Sequence, residues 1–251
     1  MKLIKALSLL VLPLLIFSCN SLEDKYPIDK RYWDTEDYKN VVRELRFGIE
    51  PDEKIPSLGT PEKRVIFEKL VDEQNYKVVL DDNELGIKYR SEVASDFFDS
   101  WKGMNQIYRA TDRKDQYLYD RELIKVWHFG LGLQLRYFKL GNDAILESAD
   151  DPNSRRAKRN TRSNIETLIS NYNIYLDEIK NEEAFTQEGK KLLSEGIDTY
   201  FTRLIDQYSN ADYSSMENKI ELMKKKSKSD LIKESLDKIS SRIQKERSEQ
   251  V

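Results

Sequence analysis

The chain has 251 residues, with 42 lysines and arginines, 45 aspartates and glutamates, one histidine, one cysteine and a net charge of −3. A single cysteine excludes an intrachain disulfide framework and a cysteine-based zinc site, and a single histidine excludes a metal site of several imidazoles. Nine glycines and six prolines are too few for a collagen-like or low-complexity chain. The composition therefore indicates a globular protein and leaves its chemistry to particular segments.

The amino terminus has the pattern of a secretory signal peptide over residues 1–18. Lys2 and Lys5 form a basic start, a short apolar run follows, and Ser18 is a small residue immediately before Cys19. The apolar run is too short for an ordinary membrane-spanning helix, so we expect cleavage after Ser18.

The only cysteine of the chain lies at this cleavage position. Ile16-Phe17-Ser18-Cys19 resembles a bacterial lipobox. The resemblance implies a diacylglycerol on the Cys19 thiol, an acyl group such as palmitate on its amino group, and stable anchoring through several acyl chains. Asn20 rather than an aspartate follows, which in Gram-negative cells favours the outer membrane and leaves the periplasmic and surface faces open. The alternative is an uncleaved signal anchor with an incidental cysteine.

Residues 19–34 are polar and lack periodicity, so we expect a lipidated tether. The run Asn20-Ser-Leu-Glu-Asp-Lys-Tyr-Pro-Ile-Asp, with Tyr32-Trp33-Asp34 after it, resembles the mature start of SusD/RagB-type lipoproteins of the Bacteroidetes. The resemblance implies lineage only, because the chain is much shorter than such glycan-binding proteins.

Beyond the tether, apolar residues recur at helical spacing along almost the whole chain. Thr35 and Thr60-Pro61 are typical helix starts, and residues from about Gln116 to Leu140 are apolar almost all round, as in a central helix. Gly130 and Gly132 within this stretch indicate a close helix crossing. No alternating strand pattern or hairpin turn is present in the sequence.

We therefore predict an all-α fold, a bundle of about seven to eight helices. It occupies residues 35–251, and the longest predicted loop, residues 150–162, could divide it. Without the signal the chain keeps 40 basic and 45 acidic residues, a net charge of −5. An acidic body is unsuited to non-specific nucleic-acid binding, so we expect no nucleic-acid partner.

The 150–162 loop carries the main basic cluster of this acidic protein. We consider two uses for it, contact with anionic lipid headgroups and contact with an acidic partner, beside the alternative of a solvated loop without a ligand. Its members are Arg155, Arg156, Lys158, Arg159 and Arg162.

A second candidate site combines carboxylate, indole and amide side chains within one predicted helix. Asp96, Trp101 and Asn105 are spaced so that they could line a polar pocket with an aromatic wall. Such a mixture suits a sugar or a peptide. The alternative is that the aromatic side chains are core and the acidic ones are solvated.

His128 is the only candidate for imidazole chemistry, and it lies inside the apolar helix. A lone histidine there is more typical of packing than of a catalytic base. No nucleophile elbow, phosphate-binding loop or carboxylate–histidine motif of a di-iron bundle occurs. We therefore predict no catalytic residues, no cofactor and no enzymatic activity.

The segment from Asp81 resembles a calcium-binding EF-hand loop in spacing. Asp81, Asn83, Gly86 and Glu92 match four of its positions, but Leu85 replaces an oxygen ligand. Losing one ligand weakens an oxygen cage sharply, so we favour an ordinary acidic turn and predict no metal site.

The leading functional hypothesis is a non-enzymatic, membrane-anchored lipoprotein that binds an envelope protein, as an accessory subunit of secretion or uptake machinery or as a toxin-immunity protein. The alternative is a surface lipoprotein that binds a glycan or a small ligand. Its platform version predicts an exposed aromatic surface, and burial of all three tryptophans, Trp33, Trp101 and Trp127, would contradict it. A hydrolase that uses acidic residues is a third, weaker hypothesis.

Overall fold

The computed structural model describes residues 25–46, 60–109 and 119–249. Every regular element within these ranges is helical, so the all-α prediction is confirmed. No described helix combines the length and the apolar character needed to cross a bilayer. The helices are α1 (Thr35–Leu45), α2 (Pro61–Leu70), α3 (Gln74–Leu80), α4 (Ile87–Arg109), α5 (Asp120–Glu147), α6 (Arg155–Asp177), α7 (Gln187–Gly196), α8 (Thr202–Gln207), α9 (Ser214–Lys226) and α10 (Asp230–Ser248).

Helix α5 is the centre of the bundle, as its nearly continuous apolar surface predicts. It lies antiparallel to α4, whose Trp101 indole N–H donates to the carbonyl of Val126 at 2.9 Å. It also lies against α6, whose Tyr172 hydroxyl donates to the carbonyl of Leu131 at 2.9 Å. A Cβ on Gly130 would lie 2.1 Å from the Trp101 ring, so this glycine permits the close crossing of α4 and α5.

The segment before α1 is folded onto the body. Tyr26 and Trp33 are fully buried. The Trp33 backbone N–H donates to Asn75 Oδ1 at 2.8 Å, and its indole N–H donates to the carbonyl of Pro27 at 2.9 Å. Asp34, rather than Thr35, caps α1 by accepting hydrogen bonds from two amides of the first turn. Residues 25–34 therefore belong to the bundle, and the expected tether does not extend through them.

The predicted loop at 150–162 is mostly helix. Ser154 caps α6 by accepting a hydrogen bond from the amide of Ala157 at 3.2 Å, so the helix begins at Arg155. The five basic residues stand on the first two turns of α6 and not in a loop. The buried side chains from Tyr26 to Ile243 form one connected cluster, so the chain on both sides of this turn shares a core.

A π-helical turn, Ile197–Phe201, joins α7 to α8. Thr186 caps α7 by accepting a hydrogen bond from the amide of Gly189 at 3.0 Å. The extra residue of a π turn shifts the side chains that follow it relative to a regular helix, and such turns are frequent at functional sites. Here it sets the direction of Tyr200. A 3₁₀ segment, Glu178–Ala184, lies between α6 and α7.

Candidate functional site

The predicted cleavage and lipidation residues, Ser18 and Cys19, lie outside the described residues. The structure does show where the chain enters the folded body. The pKa of Tyr26 is raised to about 12, first by burial and then by the negative charge of Glu44 on α1. The pKa of Tyr108, near the end of α4, is also raised. Burial is the largest cause, and the charges of Glu122, Tyr38 and Tyr26 add to it. The entry point is therefore at the α4 end that meets the start of α5.

The predicted pocket of Asp96, Trp101 and Asn105 does not form. Asp96 is exposed in a groove of about 470 Å³ between α1 and α4, whereas Trp101 and Asn105 face a cleft of about 80 Å³ on the other side. Positions five residues apart on an α-helix point about 140° away from each other, which explains the separation.

The small cleft is closed by hydrogen bonds among its own side chains. The Trp127 indole N–H donates to Asn105 Oδ1 at 3.1 Å, and the Trp101 indole N–H is already bonded to a carbonyl. Its volume is far below the ~300 Å³ at which ligand pockets usually begin. None of the three tryptophans is exposed, since Trp33 and Trp127 are buried and Trp101 is half-buried. Trp101 is thus the only tryptophan with a partly accessible side chain, and it faces the small cleft.

The acidic turn that resembles a calcium loop is engaged with arginines. Arg136 Nε and Nη2 donate to the two carboxylate oxygens of Asp81 at 2.8 and 2.9 Å. Arg90 donates to Asn83 Oδ1 at 3.1 Å. Among the described residues, no three histidine, cysteine, aspartate or glutamate side chains converge as a metal site.

His128 is a half-buried residue that packs against two tyrosines. Its Nε2 lies 3.0 Å from the Tyr175 hydroxyl, and its ring packs 5.3 Å from that of Tyr200. Burial lowers its pKa to about 4, although the charge of Glu73 acts in the opposite direction. At neutral pH the imidazole is therefore uncharged.

A charged assembly that the sequence did not reveal lies beside this histidine, and we call it the Glu73 cluster. The Glu73 carboxylate accepts a hydrogen bond from the Tyr200 hydroxyl at 2.8 Å, forms an ion pair with Lys77, and lies 3.4 Å from Arg203. Burial acts to raise the pKa of Glu73, but the hydrogen bonds of Lys77 and Tyr200 and the two positive charges outweigh it and lower the pKa.

The Glu73 cluster is packed tightly against α5. A Cβ on Gly132 would lie 2.5 Å from both Glu73 Oε1 and the Tyr76 hydroxyl. The Tyr76 hydroxyl is buried and has no hydrogen-bond partner within the part of the chain that the structure describes. The Glu73 carboxylate oxygens already accept from donors of the same chain. The cluster therefore links the start of α3 to the segment that joins α7 and α8. The partners are 127 and 130 residues apart in sequence, which no local pattern can reveal.

The basic residues of α6 border a second assembly, which we call the α6 cleft. It has a volume of about 790 Å³ and lies between α6 and the turn that follows α8. Lys158 and Arg162 stand at one end of its α6 wall. Its apolar lining consists of Ile165, Ile169, Tyr208 and Ala211, and the carboxylates of Glu166 and Asp212 also line it.

Of the five basic residues at the start of α6, Lys158 and Arg162 line this cleft. Arg162 pairs with Glu166 at 2.9 Å. The other four, all exposed, have no carboxylate partner among the described residues. They are Arg155, Arg156, Lys158 and Arg159. Positive side chains in the first turn of a helix are also disfavoured by the helix dipole.

No known protein family, curated protein or solved structure matches the chain.

Proposed function

We propose that this protein is a lipid-anchored, non-enzymatic binding subunit of the bacterial envelope. In this proposal Cys19 carries the acyl chains, and the helical body binds an envelope protein as an accessory subunit or an immunity protein. The lipobox-like segment and the α6 cleft support the two halves of the proposal.

The observation that carries the proposal is the burial of Tyr26 only seven residues after Cys19. A fully extended chain advances at most about 3.6 Å per residue, so Tyr26 stays within about 25 Å of the lipidated residue. A body tied so closely to its anchor works at the membrane surface. This arrangement suits a subunit that meets partners in the same membrane or compartment.

The anchor is tested by replacing Cys19 with serine and following incorporation of an alkyne-tagged fatty acid. We expect Cys19→Ser to abolish labelling and to release the protein from the membrane fraction, because serine has no thiol for the diacylglycerol. Ser21→Ala is the matched control, since it changes a small polar residue two positions away and should retain label. Undiminished labelling of Cys19→Ser would refute the anchor.

The binding function is tested by affinity purification from detergent-solubilised envelopes with a tag at the carboxyl terminus. We expect the same envelope protein to be recovered in repeated preparations and to be absent with an unrelated lipoprotein as bait. Recovery of no protein across repeated cross-linked preparations would count against a binding subunit.

A further inference from the structure

We propose that the small cleft that Trp101 and Asn105 face takes one carboxamide side chain, an asparagine or a glutamine, of a partner protein. The inference rests on the proposed binding function, for which it names the chemistry of contact, and it does not require the lipid anchor. Its support comes from three amide side chains with an unused end, from the size of the cleft, and from its charge and its apolar rim.

The small cleft is lined by residues of three helices. Leu131 and Gln134 belong to α5, Asn105 belongs to α4, and Asn171 and Ile174 belong to α6. Because α5 is the central helix, its side chains form the floor of the cleft, and those of α4 and α6 form the walls. A group that enters from the solvent therefore passes between α4 and α6 and meets Gln134.

Three amide side chains of the cleft use only one end for the fold. Asn105 Oδ1 accepts from the Trp127 indole N–H at 3.1 Å, and Gln134 Oε1 accepts from Asn171 Nδ2 at 2.8 Å. Within the described residues, the other ends have no hydrogen-bond partner, and these are Asn105 Nδ2, Gln134 Nε2 and Asn171 Oδ1. The hydrogen bonds that close the cleft therefore leave two NH₂ groups and one carbonyl oxygen unused.

Gln134 is the amide that most clearly points to a ligand, because only 4% of its surface is exposed. A polar group at this depth costs free energy when it has no hydrogen-bond partner. The pair of Gln134 and Asn171 offers one NH₂ group and one carbonyl oxygen, whichever of the two amides is the donor. An occupant that both accepts and donates a hydrogen bond would satisfy this pair.

A carboxamide is the side-chain group that fits this set. Its oxygen accepts from Gln134 or Asn105, and its NH₂ group donates to Asn171, so donor and acceptor lie on separate atoms as they do in the cleft. A carboxylate has no hydrogen to donate, and an ammonium group has no lone pair to accept with. Among the described residues that line the cleft, the only charged ones, Arg109 and Glu178, pair with each other at 2.7 Å. The cleft therefore favours an uncharged occupant.

The size of the small cleft favours a side chain of a protein over a sugar ring. The cleft holds about 80 Å³, whereas a cavity that binds a benzene ring has ~150 Å³. A pyranose ring is larger than benzene and does not enter. Pockets that take one side chain of the partner are typical of the centre of a protein interface.

The rim of the small cleft supplies the apolar area that a protein interface uses. Ile174 is 56% exposed, although its side chain is aliphatic. On the α4 side, the ring of Trp101 stacks 5.5 Å from that of Phe98, and Phe98 stacks 4.9 Å from Tyr137. All three rings are partly exposed. A carboxamide residue between apolar residues would therefore cover both the cleft and its rim.

The experiment uses the mature chain with Cys19→Ser, which carries no lipid. A phage library of random 12-residue peptides is selected on this protein and counter-selected on its Ile174→Glu variant, whose added carboxylate lies at the rim. We expect the selected peptides to share one asparagine or glutamine between apolar residues. Selected peptides that share a charged or a hydroxyl residue instead, or none that distinguish the two proteins, would overturn the proposal.

A double-mutant cycle with a selected, fluorescein-labelled peptide then locates the contact, with affinities measured by anisotropy. We expect Gln134→Leu, and replacement of the peptide's carboxamide residue by leucine, each to weaken binding about tenfold. The two changes together should weaken binding little more than either alone, because both remove the same contact. Losses that multiply to about a hundredfold would overturn the proposal, since the two groups would then not meet.

The rim is tested by comparing Ile174→Glu with Leu146→Glu. Both changes place a carboxylate at an exposed aliphatic position near the end of a helix. Leu146 lies on α5 as Gln134 does, about 18 Å further along the helix. We expect Ile174→Glu to weaken peptide binding at least tenfold and Leu146→Glu to leave it within twofold. Equal losses would overturn the proposal, because they would indicate a non-local charge effect.

Circular dichroism must show that the variants melt within a few degrees of the parent. Ile174→Glu, which changes an exposed side chain, serves if Gln134→Leu fails to fold. A glycan array that binds the parent and not Gln134→Leu, without peptide selection, would replace the protein partner by a sugar.

Affinity purification separates a failure of this inference from a failure of the proposed function. With Ile174→Glu as bait, the envelope protein that the parent recovers should be lost. Its retention by Ile174→Glu would overturn the small cleft as the contact and would leave the binding function intact. Recovery of no protein by the parent would overturn both.

Discussion

The Glu73 cluster and the basic turns of α6 use charge in opposite ways. In the cluster a mostly buried carboxylate has a hydrogen-bond donor or a cation from three other residues of the same chain. On α6 four exposed cations have no carboxylate within reach among the described residues. The difference indicates that the partly buried charge of the Glu73 cluster joins distant helices, whereas the basic residues of α6 are exposed at the surface. Four predictions test this contrast.

The largest effect is expected from Glu73→Ala. Removing the carboxylate leaves Tyr200, Lys77 and Arg203 without their acceptor, and breaking such a network typically costs about 3 kcal/mol of the free energy of unfolding. Urea denaturation measures this loss. Glu84→Ala removes an exposed glutamate from a turn and should change stability by less than about 0.5 kcal/mol. Equal losses of stability in the two variants would show that the Glu73 contacts stabilise the fold no more than an exposed glutamate does.

The second prediction concerns acidification and His128. The folded-state pKa of about 4 lies below the ordinary value of 6.5, so the unfolded chain binds a proton first as the pH falls. Stability contributed by the neutral imidazole is therefore lost as the pH falls from 6.5 to about 4, by an amount on the order of 3 kcal/mol.

Urea denaturation of the parent and of His128→Gln between pH 7 and pH 4.5 isolates this contribution. The parent should lose stability more steeply than the variant, because glutamine does not titrate. Parallel curves would show that His128 is not held neutral in the folded protein.

The third prediction compares two glycines of α5. Gly132→Ala would place a Cβ 2.5 Å from Glu73 Oε1 and the Tyr76 hydroxyl, and overpacking of this kind costs about 1–3 kcal/mol. The nearest atom to a Cβ on Gly141 is 3.7 Å away, so Gly141→Ala should gain up to about 1 kcal/mol from helix propensity. Thermal melting of both variants measures the difference in sign. A stabilised Gly132→Ala would mean that the cluster is loosely packed.

The smallest effect is expected at α6, and its sign is unusual. Neutralising Arg155→Gln/Arg159→Gln should raise stability by about 0.3–1 kcal/mol, because cations near a helix amino terminus are opposed by its dipole. Lys225→Gln/Lys226→Gln, in the last turn of α9, should lower it slightly for the same reason. Paired thermal melts at low salt compare them. Destabilisation by the α6 change would mean that these arginines support the fold.

Much of the fold could be predicted because burial leaves a periodic pattern in a helix. The stripes of α5 and α6 follow from packing on one face, and the Thr60 and Thr186 caps follow from the chemistry of a helix start. The prediction of a loop at residues 150–162 was wrong for residues 155–162, because their high charge was taken as a sign of a loop. Ser154 three residues before Ala157 was the local signal that a helix begins there.

The remainder depends on contacts between residues far apart in sequence. The backbone N–H of Trp33 donates to Asn75, which lies 42 residues later in the sequence. The residues near Trp33 give no sign of this acceptor, so its burial could not be predicted from them. The Tyr200–Glu73 contact spans 127 residues and depends on the π-helical turn at Ile197–Phe201. The predicted Asp96 pocket failed because residues close in sequence were assumed to share a face.

The packing of residues 25–34 also has a mechanical consequence. Trp33 is held by two hydrogen bonds and by complete burial, and Tyr26 is also fully buried, so the segment between them is fixed to the body at both ends. Under the proposed anchorage, a pull on the lipid is transmitted directly to the core through Trp33 and α1. A force applied at the carboxyl-terminal end of α5 would be transmitted along this helix. The folded body would then move together with its entry segment, residues 26–33.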